Sequence, residues 1–136
     1  MSLELQEPGK AERFREFLYA TFLRMVALVL LFHAITFWLY LTGAMSPDMR
    51  FDTMPEHWQI AATVLAVVMP VAALGLWGRF PWGAALWFIV MGIELFMFYW
   101  RTDLFGQNMA IVVFHVLTFA IFLVFKLLGV FLANRS

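Results

Sequence analysis

Apolar residues dominate four long stretches of the chain, and polar residues gather in the breaks between them. A membrane-crossing helix needs about 20 mostly apolar residues to cover a hydrocarbon core about 30 Å thick. Four segments meet that requirement, roughly Phe22 to Thr42, His57 to Trp77, Pro81 to Trp100 and Asn108 to Phe131. The breaks carry turn chemistry. TGAMSPDMRFDTMPE contains Gly43, Pro47 and Pro55, GRFP is a tight hairpin turn, and RTDLFGQ is a short polar return. Pro55 precedes the second span and Pro81 opens the third, where a missing N–H costs the helix nothing. The pattern predicts an all-α fold: one integral membrane four-helix bundle, with consecutive spans antiparallel and the first closing against the fourth.

Ahead of the first span, Phe14, Phe17, Leu18, Phe22 and Met25 recur at helical spacing, with Glu12, Arg13, Arg15 and Glu16 between them. Residues 1–21 therefore read as a short N-terminal tail followed by an amphipathic segment at the membrane surface, or as an extension of the first helix. The apolar run that follows is too long for a signal-peptide core, so the N-terminus is expected to be retained. Basic residues in short flanks set orientation. Lys10, Arg13, Arg15, Arg24, Arg79, Lys126 and Arg135 fall on one side, Arg50 and Arg101 on the other, which predicts both termini in the cytoplasm. Tyr40, Trp58, Tyr99 and Trp100 would line the outer boundary, and Trp77 and Trp82 the inner one.

Composition agrees with the pattern: 64% of residues are hydrophobic, 13% are charged, and the mean hydropathy is +0.86, which takes the chain out of the soluble class. Nine basic and nine acidic residues balance, so no overall field points to nucleic acid. With no cysteine, neither disulfides nor thiolate metal sites are available.

The stretch FHAITF, Phe32 to Phe37, has a near copy in FHVLTF, Phe114 to Phe119, and both lie deep in apolar runs. At 1.5 Å per residue, His33 lies roughly 14 Å below the outer end of its span, Glu94 roughly 9 Å and His115 roughly 10 Å. Three ionisable groups from three spans thus share one level. Helical phase puts His33, Thr36 and Tyr40 on one stripe, Asn108, His115 and Thr118 on another, and Glu94 and Arg101 on a third. Lipid exposure of an ionisable group costs several kcal/mol, so these stripes should face inward. His33, His115 or Arg101 are the available partners for Glu94.

Three readings of the cluster are open. It can be a buried polar network that holds the helices in register. His33 and His115 can be axial ligands of a b-type haem in a four-helix bundle. Or Glu94 can titrate, with the histidines as a relay, at a proton-handling or quinone-adjacent site. Elsewhere, Met45, Met49, Met54 and His57, with Asp48 and Asp52, offer soft donors of the kind Cu(I) prefers, in a loop where composition alone supplies methionine. Pro70 should kink the second span and free a carbonyl one turn earlier. Ala62, Ala66, Ala73 and Gly75 give the same helix a small-residue surface. HExxH, P-loop, GxSxG and DxDxDG patterns are missing from the sequence, so no enzyme class has a foothold.

From ERFREFLYATFLRMVALVLLFHAITFW through ALGLWGRFPWGAALWF to FHVLTFAIFLVFKLLGVFL, the chain resembles an uncharacterised family of four-span inner-membrane proteins from alphaproteobacteria. That resemblance implies a location in the bacterial inner membrane, and no activity. The stretch GLWGRFPWGAALWFIVMGIE is similar to DoxX-like four-helix membrane proteins, some of which associate with quinone or thiosulfate oxidation. The expected role is a non-enzymatic accessory or scaffold subunit without a cofactor, meeting another integral membrane protein or a second copy of itself. The alternative is a redox or proton-coupled component built on His33, Glu94 and His115.

Overall fold

The computed structural model describes residues 9–44 and 50–134, and all regular structure among them is helical. Helix α1 spans Lys10–Thr42, α2 Glu56–Trp77 and α3 Pro81–Leu95; a π-helical turn, Phe96–Trp100, extends α3. A short α4, Thr102–Phe105, leads to α5, Met109–Asn134. Four of the helical segments are long and apolar enough to cross a membrane. The start of α1, the α2–α3 turn and the end of α5 lie at one end of the bundle, called proximal below, and the α1–α2 and α3–α5 connections at the distal end.

Nothing between Lys10 and Thr42 breaks a helix, and α1 runs unbroken for about 50 Å. The amphipathic residues Phe14, Phe17 and Leu18 therefore lie on the first turns of a helix continuous with the first span. Residues 1–8 of the predicted tail lie outside the described residues. Gly43 ends α1 with φ 81°; its N–H donates to the Tyr40 carbonyl and that of Ala44 to the Leu39 carbonyl. This double closure needs a left-handed residue, which glycine supplies without steric cost.

Helix α2 is central, packed on α1 on one side and α3 on the other. Its small residues make both contacts close. Ala62, Ala66, Ala73 and Gly75 are all buried, so the neighbours their surface serves are in this chain. At the α2–α3 crossing a Cβ on Gly83 would run into the Gly75 and Leu76 backbone, and one on Gly75 would meet Gly83 and the Trp82 ring. Small side chains let backbones approach and gain dispersion contacts, which matters where lipid removes the hydrophobic drive between helices.

Pro70 lies within α2, which stays helical on both sides of it. Having no N–H, proline cannot serve the carbonyl four residues back, which is that of Ala66. The indole Nε1 of Trp38, from α1, donates to that oxygen at 2.9 Å. The expected free carbonyl is thus real chemistry with a partner across the α1–α2 interface.

Helix α5 is held mainly by aromatic rings near the proximal end. Phe122 meets Trp87 edge-on at 5.5 Å and Phe88 at 5.3 Å, and Phe125 packs on Phe22 and Tyr19 of α1. The first and last long helices touch as expected, over a short length. Most of the outward side of α5 is apolar and uncovered, including Leu117, Val124 and Leu127. A chain with apolar residues both inside and outside its helices is built for an apolar surrounding.

Candidate functional site

Glu94 sits on the last turn of α3 and is fully buried. Its Oε2 lies 2.7 Å from His33 Nε2 of α1, and its Oε1 3.0 Å from His115 Nε2 of α5. One carboxyl therefore ties three helices together at one level. A carboxylate only accepts, so both bonds form when each imidazole carries hydrogen on Nε2; a protonated Glu94 donates one bond itself. Nδ1 of His115 is buried with no hydrogen-bond partner among the described residues. That suits the neutral Nε2–H tautomer, whose Nδ1 carries only a lone pair.

His33 differs from its partners in being open. About a quarter of its side chain is exposed, and it lines a cavity of about 540 Å³ at the distal end. Thr36, Tyr40, Trp58, Gln107 and Asn108 are among its polar lining, and Phe37 and Phe98 form part of its apolar wall. Trp58, expected at the outer boundary, stands at the start of α2 and is half-buried, with Phe98 at 6.2 Å and Phe105 at 5.0 Å between ring centroids. Tyr99, Trp100, Trp77 and Trp82 do face outward.

The two threonines close on their own helices. Thr36 Oγ1 donates to the Phe32 carbonyl at 3.2 Å, and Thr118 Oγ1 to that of Phe114 at 2.7 Å. Each bond runs from the threonine to the phenylalanine four residues earlier, so the FHxxTF echo reflects one local device used twice. Neither hydroxyl bonds an imidazole. Thr118 is buried beside His115, while Thr36 faces the cavity.

Arg101, offered by the sequence as a partner for Glu94, pairs elsewhere. It makes two bonds of 3.1 Å to Asp103, one to each carboxylate oxygen. The cause is the π-helical turn: the Arg101 N–H reaches back five residues to the Phe96 carbonyl. The wider turn rotates Arg101 off the α-helical stripe it would share with Glu94. Asp103, two residues on, is the nearer carboxylate, and the bonds from Arg101 hold it below the usual carboxylate range.

The model of a family of unknown function, DUF6163, matches residues 17–133. The chain belongs to DUF6163. In this DUF6163 chain the match takes in every member of the triad and the whole distal cavity. Searches among curated proteins and among solved structures found no match.

Two sets of donors in the chain are of the type that could hold a metal or haem. Bis-histidine haem ligation needs both Nε2 atoms turned onto an iron, with a porphyrin plane between the rings. Here both are turned onto Glu94, whose carboxyl fills the space between them. The residues do not fit that group. In the loop set, Met45, Asp48 and Met49 lie outside the described residues. The others do not converge: His57 Nε2 lies 2.9 Å from the Leu104 carbonyl, Asp52 pairs with Arg50, and Met54 is packed in the core.

Proposed function

We propose that this chain is an integral protein of the bacterial inner (cytoplasmic) membrane, with the His33–Glu94–His115 triad as a proton-binding centre. One observation carries the reading: a fully buried carboxyl bridges two imidazoles, and one of those lines a cavity open at the distal end. An isolated buried charge in lipid costs several kcal/mol, so a carboxyl kept there needs either partners or a proton. Glu94 has both routes. His33 can pass a proton between the cavity and the carboxyl, and His115 holds the far oxygen in place. The chain acts in this reading as a non-enzymatic, proton-coupled membrane component. The resemblance of residues 75–94 to DoxX-like proteins agrees with a site beside quinone chemistry.

Infrared difference spectra of the purified protein, recorded across a pH titration, test the reading. A protonated-carboxyl band should change with pH in the parent and be missing from Glu94→Gln. A spectrum without such a band, or one unchanged by the substitution, would leave the triad as a packing element. The second reading, an accessory subunit, would then stand. The uncovered apolar side of α5 favours it, as a surface for another integral membrane protein or a second copy.

Among the described residues, six basic groups lie towards the proximal end and two at the distal end, so both termini face the cytoplasm in this proposal. The chain has no cysteine, so Asp103→Cys creates a single label site. A membrane-impermeant maleimide should label it in intact spheroplasts. Labelling only after lysis would reverse the orientation.

A further inference from the structure

A second cavity, about 400 Å³, opens at the proximal end, far from the triad. Three cations from three elements meet there: Arg15 of α1, Arg79 of the α2–α3 turn and Lys126 of α5. Glu16 is the single acidic group of the lining among the described residues. It takes a bond of 2.7 Å from Arg79 Nη2 and one of 3.2 Å from Arg15 Nη2. Lys126 has no ion pair among the described residues; its Nζ lies 5.3 Å from the Tyr19 ring centroid and 5.5 Å from that of Phe122. Arg79 lies 5.7 Å from the same Tyr19 ring. Among the described residues, three positive charges against one negative leave the lining with a net surplus of two.

Two further features describe how the arginines are held. Arg79 is the one described non-glycine residue with positive φ, at 61°. That conformation closes α2, with the Arg79 N–H donating to the Leu76 carbonyl at 3.1 Å and the Phe80 N–H to the Gly75 carbonyl at 2.9 Å, and from this turn the guanidinium reaches Glu16 and Tyr19. Arg15 Nε is buried with no hydrogen-bond partner among the described residues. The cavity also has an apolar border, with Phe125 and Val130 next to the uncovered side of α5.

From these features we infer that the proximal cavity binds a phosphate anion, carried on the headgroup of an anionic membrane lipid whose acyl chains lie along α5. Phosphate takes several charge-assisted bonds at once, which suits arginine forks and a lysine converging from different helices. Basic pockets between spans on the cytoplasmic side are suited to such headgroups. Simple interfacial anchoring would need no cavity in which cations from three elements converge. A soluble phosphate ester offers the same anion without the chains, and the apolar border favours the lipid.

The test uses the full chain in nanodiscs of phosphatidylcholine, with phosphatidylglycerol titrated in and retained lipid counted by native mass spectrometry. Phosphatidylglycerol should be retained over phosphatidylcholine, and Arg79→Asn and Lys126→Gln should each weaken retention about fivefold, the worth of one basic group at an anionic surface. Asparagine tolerates the left-handed backbone at position 79, and Lys126→Gln carries the test alone if Arg79→Asn fails to fold. Arg24→Gln is the control, since Arg24 lies over Trp77 and outside the cavity lining. Inorganic phosphate that raises the unfolding temperature in pure phosphatidylcholine, and does so less in Lys126→Gln, would keep the site and assign it to soluble phosphate compounds. Equal retention of both lipids with no phosphate effect would overturn the inference. So would a loss in Arg24→Gln as large as that in Lys126→Gln.

Discussion

Replacing Glu94 with leucine will destabilise the bundle by about 2–5 kcal/mol, while Glu94→Gln will stay within about 1 kcal/mol of the parent. Leucine removes the acceptor of two imidazole nitrogens at once. His115, whose Nδ1 is already without a partner, would keep no side-chain hydrogen bond at all. His33 could turn to water in the distal cavity, so the larger share of the penalty falls on His115. Glutamine has the shape of a protonated glutamic acid, with one acceptor and one donor end. It bonds one imidazole N–H through its oxygen and the bare nitrogen of the other through its amide. Reversible unfolding in detergent, followed by circular dichroism, reads both variants. The pair also separates stability from proton chemistry, because Glu94→Gln keeps the fold and cannot titrate. If leucine is tolerated as well as glutamine, the triad does not hold the helices together.

Much of the architecture follows from patterns visible along the chain. Four apolar runs of the right length, punctuated by Gly43, Pro55 and GRFP, give the four long helices and the places where they end. The shared depth of His33, Glu94 and His115 is legible because helical rise is fixed and each span has a polar end to measure from. The partner of Glu94 is not legible in the same way. Arg101 lies seven residues on, in phase with Glu94 for an α-helix, and only the π-helical turn over FMFYW takes it away. Such a turn depends on how a helix end packs, and it has no composition signature. The proximal cavity is hidden for another reason. Arg15, Arg79 and Lys126 each read as an interface anchor, and it takes the meeting of α1, α5 and the α2–α3 turn to make them one site. Trp58 reads as a boundary residue by position, yet the short α4 folds back beside it and provides Phe105 as a neighbour.

The bond between Trp38 and the Ala66 carbonyl leads to a coupling that can be measured. Trp38→Phe should cost about 1 kcal/mol in the parent, since it keeps the ring and removes the indole donor to that oxygen. In a Pro70→Ala background the same change should cost much less. Alanine at position 70 restores an N–H four residues beyond Ala66, so the carbonyl is served within its own helix. A carbonyl has two lone pairs, so Trp38 can keep its bond in the Pro70→Ala single variant and that variant need not lose stability. The two substitutions are therefore coupled, and the sign is fixed: the double variant is more stable than the sum of the single effects. A cycle of four proteins unfolded under one condition measures this. Additive effects would mean that Trp38 stabilises the α1–α2 interface through its ring alone, and that the Ala66 carbonyl is satisfied without it. The predicted coupling would explain how a proline is carried in the middle of the central helix. The backbone gap it leaves becomes a specific contact that fixes the register of α1 on α2, and with it the level at which His33 meets Glu94.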